Sequence, residues 1–216
     1  RDVADYTGTC VDDDGGVVMV CERASGESRP LRSGLVGRHN ATNLLLAVAA
    51  GRTADLSWEA IERGLENLKL PPMRWQRTEA GGVVSINDAY NANPIAMRCA
   101  LETFARTAAS ARRVVVLGDM RELGESSERF HRELGRLVAA GPWDLVVAVG
   151  KDARWIVEEA ITTGFSAGAT HHFKDTAAAA HGIRDLVHPG DTVLFKASRG
   201  LALEQVEAAL LAGHSV

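Results

Sequence analysis

The sequence predicts an α/β protein: an open, mostly parallel Rossmann-like sheet with helices on both faces, preceded by a small β-meander and two helices. Three observations predict it. Apolar runs at 83–86, 114–117, 145–149 and 192–195 alternate with segments of helical period, the pattern of strands covered on both faces by helices. Pro71-Pro72 interrupts the chain just ahead of that alternation, since proline suits neither a helix interior nor a central strand. Upstream of it, short β-favouring runs are separated by turn-rich segments instead of helices. We therefore place a first domain at residues 1–71 and a second at 72–216.

In the first domain, Cys10-Val11, the run 17–21 and the run 31–36 read as strands of an antiparallel meander, joined through Asp12-Asp13-Asp14-Gly15-Gly16 and the 24–28 segment. The three aspartates between two strands read as a solvated hairpin turn rather than a metal cluster. Leu44, Leu45, Val48 and Ala49 recur at helical spacing within 40–50, and Ser57 is placed to cap a second helix whose first turns carry Glu59 and Glu62. In the second domain the helices are marked by Met97/Leu101/Phe104, Phe130/Leu134/Leu137, Ile156/Val157/Ala160, Ile183/Leu186/Val187 and Leu203/Val206/Leu210. A fifth short strand is expected at His172-Phe173.

Composition removes several classes of function. The 216 residues are 46% hydrophobic, enough for a substantial core. With Lys+Arg 24 against Asp+Glu 28 the net charge is −4, so no global basic field draws the protein to nucleic acid or to an anionic membrane. No apolar run reaches the roughly 20 residues of a membrane span. Cys10, Cys21 and Cys99 have neither disulfide-framework nor zinc spacing, which favours a reducing cytoplasm. Arg1-Asp2-Val3-Ala4-Asp5 is not a signal peptide and reads as the middle of a domain; the chain is expected to be a fragment.

In an open α/β sheet the site lies at the carboxyl ends of the strands, and three such ends carry chemistry here. The first runs into Asn87-Asp88-Ala89-Tyr90-Asn91-Ala92-Asn93-Pro94. Its amides, carboxylate and phenol can bond the edges of a base, a ribose or a peptide, while one of them must cap the helix that Pro94 starts. The second ends in Leu117-Gly118-Asp119-Met120-Arg121-Glu122-Leu123-Gly124, where Asp119 suits either a ligand or a structural cap. The last ends in Lys196-Ala197-Ser198-Arg199-Gly200; two cations and a hydroxyl opening a helix would make an anion site.

Several lookalikes fail. Gly150-Lys151 has Leu145 and Asp152 where a phosphate loop needs Gly and Ser or Thr. Ser198 lacks the leading glycine of a nucleophile elbow, since Lys196 stands there. His171, His172, His181 and His188 have no metal spacing, His131 reads as a packed or capped imidazole, and the four tryptophans read as core or boundary residues.

In order along the chain, Gly37-Arg38-His39-Asn40-Ala41-Thr42-Asn43, Pro72-Met73-Arg74, the 88–94 segment and the 117–124 segment resemble signatures of the Mur ligases of peptidoglycan synthesis. Asp88-Ala89-Tyr90-Asn91-Ala92-Asn93-Pro94 is similar to the form found in the branch that adds D-alanyl-D-alanine. The 196–200 segment departs from the family by Ala197, where glycine is usual. The resemblance covers nearly the whole chain. It implies that residues 1–71 are the end of a central ATPase domain, here incomplete, and 72–216 an entire carboxy-terminal domain.

The implied activity is ATP-dependent ligation: the carboxylate of a UDP-muramoyl peptide becomes an acyl phosphate, which the amine of D-alanyl-D-alanine attacks, with ATP and Mg2+ serving the intact enzyme. The resemblance implies that Asn40 and Asn43 meet the adenine, Asp88 the ribose, and Arg74 the phosphates, as the catalytic cation. Tyr90 and Asn91 would line the nucleotide cleft; Asn93, Asp119, Lys196, Ser198 and Arg199 would face the dipeptide. The amino-terminal domain and the phosphate loop are missing from these residues, so the isolated chain is expected to bind nucleotide and dipeptide weakly and not to turn over. A non-catalytic binding module, or a related ligase with another acceptor, is the alternative. Keeping all four motifs disfavours the first, and Asn91-Ala92-Asn93-Pro94 the second.

Overall fold

The computed structural model describes residues 5–12, 16–106 and 112–213. The chain divides into two compact units, Arg1–Leu70 and Pro71–Val216.

The first unit opens with three antiparallel strands, β1 (Tyr6–Asp12), β2 (Val17–Glu22) and β3 (Ser28–Arg32), in the order β1-β2-β3. Val18 and Val20 point from β2 into a core completed by Leu31, Leu44, Val48, Trp58 and Ile61, as the period-two alternation of a one-faced sheet requires. The third strand lies earlier than the 31–36 run predicts. The turn before it is tight: Gly26, at φ +68°, donates to the Glu22 carbonyl at 2.9 Å, so Ser28 already pairs with Cys21. Pro30 is tolerated because β3 is an edge strand. Of the predicted Asp-rich turn, Asp13, Asp14 and Gly15 lie outside the described residues. Two helices follow, α1 (His39–Thr53) and α2 (Trp58–Glu66); Ser57 Oγ caps α2 by accepting the Ala60 N–H at 3.2 Å.

The second unit is a six-stranded sheet with helices on both faces. In chain order its elements are β4 (Gln76–Ala80), β5 (Val83–Asn87), α3 (Pro94–Arg106), β6 (Arg112–Gly118), α4 (Ser127–Ala139), β7 (Leu145–Val149), α5 (Arg154–Thr162), β8 (Thr170–Phe173), α6 (Thr176–Gly182), β9 (Asp191–Lys196) and α7 (Glu204–Ala212). The spatial order is β4-β5-β9-β6-β7-β8, parallel except for β4. Successive strand residues serve opposite cores. Val115, Leu117, Val146 and Leu194 pack with Met97, Leu101 and Phe104 of α3, Leu134 of α4 and Ile156 of α5; Val114, Val116, Val147, Val193 and Phe195 pack with Ala179 of α6 and Val206 and Leu210 of α7. Among the described residues no helix is long and apolar enough to cross a membrane.

Three local expectations are corrected. β4 was not foreseen, because Gln76-Arg77-Thr78-Glu79-Ala80 shows no apolar alternation; it is an edge strand paired antiparallel with β5 through Gly81 and Gly82, both at positive φ. The helix expected around Ile183, Leu186 and Val187 lies earlier, over the alanine run that Asp175 caps by accepting the Ala178 N–H at 2.8 Å. Ile183 instead opens a 3-10 turn. Arg199 likewise opens a 3-10 turn, Arg199–Leu201, ended by Ala202 at φ +54°, so α7 begins only at Glu204. Ser198 and Arg199 therefore open a single 3-10 turn, not the α-helix that follows, and Lys196 belongs to β9.

Candidate functional site

The strand order reverses at β9, which lies between β5 and β6. That switch point brings the carboxyl ends of β5, β6 and β9 side by side, where ligands bind in open α/β sheets. The loops leaving these three strands carry most of the residues singled out from the sequence.

Lys196, the last residue of β9, is buried. Its Nζ donates to Asp88 Oδ2 at 2.6 Å, to the Asp88 carbonyl at 3.2 Å and to the Asn91 carbonyl at 3.2 Å. An ammonium has three N–H donors, and all three are engaged with the β5–α3 loop. Asp88 is held twice more: its N–H donates to the Phe195 carbonyl at 2.9 Å, and its Oδ1 accepts the Trp75 N–H at 3.3 Å.

That last bond anchors the turn that presents Arg74. Met73 and Trp75 both sit in the left-handed region, at φ +59° and +53°, an uncommon conformation for residues with bulky side chains. Gln76 Oε1 accepts the Met73 N–H at 3.1 Å, and the Tyr90 N–H donates to the Met73 carbonyl at 3.2 Å. Trp75 packs against the core beneath. The Arg74 guanidinium, on an exposed residue, lies 4.2 Å from the centroid of the Tyr90 ring, a cation–π contact. The strain buys a fixed place for one cation, between a carboxylate-bound amide and an aromatic face.

Ser198 joins the three loops. Its buried Oγ accepts the Arg121 N–H at 2.8 Å and donates to the Ala92 carbonyl at 3.4 Å, while its N–H donates to the Asp119 carbonyl at 3.1 Å. Asp119 Oδ1 reaches across to the start of α5 and accepts the Asp152 and Ala153 N–H groups at 3.0 and 2.7 Å. Beside these bonds lies a cleft of about 320 Å³ lined by Asp119, Arg121, Glu122, Gly124, Ser127 and Lys151, among others. Gly118 and Gly150 are required by close approach. A Cβ at Gly118 would come within 2.6 Å of Ala197 Cβ, and Gly150, beside the Asp119 carboxylate, has φ +118°.

The remaining predicted residues take quieter places. Asn93 is the helix cap of its loop, Oδ1 accepting the Ala96 N–H at 2.8 Å. Asn91 and Tyr90 are exposed on the loop, and Arg199 is ion-paired with Glu204 at 2.6 Å. In the first unit, Asn40 and Asn43 lie in the first turns of α1; Asn40 Nδ2 donates to the Val36 carbonyl at 2.8 Å and Asn43 Nδ2 to Asn40 Oδ1 at 2.9 Å. Among the described residues there is no cluster of three His, Cys, Asp or Glu side chains able to hold a metal ion.

Some contributors were not legible beforehand. Glu207 of α7 accepts hydrogen bonds from Ser85 Oγ and Asn87 Nδ2, and Asn87 Oδ1 accepts the Ala89 N–H at 3.0 Å. A glutamate on a helix otherwise facing the core was the available signal. Lys151 enters the cleft wall only because β7 neighbours β6.

Comparison with known proteins agrees with this architecture. The family profile described as "Mur ligase, glutamate ligase domain" matches residues 73–199. The UDP-N-acetylmuramoyl-tripeptide–D-alanyl-D-alanine ligase of Bacillus subtilis is 34% identical over 173 residues, covering 80% of this chain and 38% of that protein. A crystal structure of MurF from Acinetobacter baumannii superposes with a TM-score of 0.85 at 30% identity, over 98% of this chain and 46% of that one. The MurF ligase of Thermotoga maritima in complex with ADP gives a TM-score of 0.76 at 27% identity, over 97% of this chain and 47% of its own. The chain spans about two fifths of the length of the curated relatives it matches.

Proposed function

The chain belongs to the Mur ligase family, and from that membership we propose that it is the carboxy-terminal portion of a cytoplasmic, ATP-dependent ligase that adds D-alanyl-D-alanine to a UDP-N-acetylmuramoyl tripeptide. In this reading residues 72–216 form the acceptor-binding domain and residues 1–71 the end of the ATPase domain. The observation that carries it is the contiguous rim joining Asp88, Asn91, Asp119, Lys196 and Ser198 through shared bonds, with Arg74 fixed above Tyr90.

ATP supplies the phosphoryl group that activates the donor carboxylate. What this chain contributes is position and charge. Arg74 offers its guanidinium to phosphate oxygens, where a preorganised cation stabilises developing negative charge; the strained turn and the Tyr90 ring keep it from relaxing away. Asp88 and Asn91 present polar edges to the ribose and base. Lys196 acts from within, because its three donors already hold the loop. In the acceptor cleft, Arg121 and Lys151 suit the free carboxylate of the dipeptide and Asp119 and Glu122 its ammonium; Arg199, ion-paired with Glu204, lies outside the residues that line it. Ser198 and Asn93 hold the loops around it. The acceptor amine, once deprotonated, attacks the acyl carbon and phosphate leaves.

These 216 residues contain no Gly-x4-Gly-Lys-Ser/Thr segment. Acting alone they are expected to release no ADP. The test exchanges the matching segment of the Bacillus subtilis ligase for this chain. The chimera should release ADP in the presence of D-alanyl-D-alanine and not of D-alanine alone. Equal activity with single amino acids would overturn the acceptor assignment, and turnover by the 216 residues alone would overturn the fragment reading.

A further inference from the structure

His131 lies on α4, one turn beyond the cleft wall, and is fully buried. Its neighbours settle the state of the ring. Nε2 is 3.0 Å from the Met120 backbone nitrogen, which can only donate, so Nε2 accepts. Nδ1 is 2.7 Å from the Ser127 carbonyl, which can only accept, so Nδ1 carries the proton. Both ring nitrogens thus serve backbone groups, and the indole of Trp155 closes the site edge-on at 6.0 Å between ring centroids.

The bonds continue into a ring. Ser127 Oγ donates to Asp152 Oδ2 at 2.7 Å, and the Asp152 N–H donates to Asp119 Oδ1 at 3.0 Å. Asp119 precedes Met120, whose N–H returns to His131. The circuit ties the end of β6 to the starts of α4 and α5, and Asp119, Met120, Ser127 and Asp152 all line the 320 Å³ cleft. Met120 itself is buried, and Glu122 and Gly124 beyond it have positive φ. The 120–124 loop therefore follows a backbone path that local preference does not favour, with the imidazole as the partner of its first amide.

We propose that His131 is a positioning residue for acceptor binding: through the Met120 amide its Nδ1–H tautomer sets the path of the 120–124 loop, and so the place of Arg121 in the cleft. The proposal rests on the acceptor reading of that cleft given above. Asparagine and glutamine separate the two ring nitrogens. Asparagine keeps a donor near Nδ1 and leaves the Met120 N–H without a partner; glutamine reaches the Nε2 position with an acceptor. A buried donor without a partner is costly, so the two variants should diverge.

The test uses the 216-residue chain in solution. Nitrogen-15 NMR of the unsubstituted chain should show a neutral His131 protonated at Nδ1. D-alanyl-D-alanine should shift the amides of residues 119–124. His131→Asn should speed amide exchange at Met120 and weaken dipeptide binding about tenfold, while His131→Gln should hold both within about twofold of the parent, the range of one buried hydrogen bond kept or lost. An Nε2–H tautomer would overturn the proposal. So would asparagine and glutamine variants of equal dipeptide affinity, or faster Met120 exchange with affinity unchanged. If the dipeptide shifts no amide of the 119–124 segment in the unsubstituted chain, the acceptor reading falls and this inference with it.

Discussion

Two ion-pair systems in this chain use the same chemistry to opposite ends. In the second unit Lys196 and Asp88, with side chains 4% and 19% exposed, form a single short pair at the switch point of the sheet. In the first unit Arg29 fans out over Glu27, Glu59 and Glu62, all on the surface, and leans on the Trp58 ring. Exposed pairs contribute about 0–1 kcal/mol each. A buried pair adds little net stability over an apolar substitute, yet removing one partner strands the other charge. The pair at the sheet is thus a device for fixing a loop, and the fan is a solvated decoration of α2 and β3.

The largest effect should come from breaking the buried pair. Lys196→Ala leaves the Asp88 carboxylate without its cation and frees the Asp88 and Asn91 carbonyls; the expected loss is about 3 kcal/mol, the low end for a buried pair because Asp88 keeps some solvent contact. For a chain of this size that lowers Tm by about 6–12 °C. Calorimetry measures it, and Trp75 fluorescence should change as well, since the turn holding Arg74 depends on Asp88. Lys196→Met combined with Asp88→Asn should recover much of the loss. If Lys196→Ala proved neutral, the pair would be no better than the surface fan.

A smaller effect is expected one strand over, where the bonds to the carboxylate are made by backbone amides. Asp119→Ala removes the acceptor for the Asp152 and Ala153 N–H groups at the start of α5, a cap worth about 1–2 kcal/mol. Chemical denaturation should show that loss, with hydrogen exchange quickened at Asp152 and Ala153 and unchanged at Asp88. Equal exchange at both loops would mean that they open together.

How much of this was legible follows from where each force acts. The four long parallel strands announced themselves because helices cover both faces; 145–149 has no polar residue at all. β4 did not, since an edge strand with polar side chains carries no period, although Gly81-Gly82 ahead of an apolar run was a hairpin signal. The site loops were legible as dense groups of Asn, Asp, Lys and Ser. What each side chain touches was not. Lys196 meets Asp88 only because β9 inserts between β5 and β6, a fact of topology that no local window states. His131 was recognisable as a packed imidazole by its helical position, but its partner on the 120–124 loop depends on the same long-range arrangement.

The smallest effect expected is acid dependence in the first unit. Glu22 is held below the ordinary carboxylate range of about 4.5 first by the Ser25 hydroxyl, then by the Tyr6 hydroxyl and Arg52, with burial opposing. Glu59 is lowered from the same value first by its own backbone N–H at the start of α2, then by Ser57 and Arg29. A carboxyl whose folded pKa lies below its unfolded value binds protons more readily when unfolded. Its contribution is therefore complete above about pH 4.5 and lost as pH falls through the depressed folded value. Denaturation of the chain between pH 6 and pH 3 should show β1, β2 and α2 weakening over that lower range. Glu22→Gln should flatten the part of the slope due to Glu22, and salt should reduce the share of Arg29. A first unit equally stable at pH 6 and pH 3 would show that neither the partly buried Glu22 contacts nor the exposed Glu59 contacts hold it, in contrast to the buried Lys196 pair.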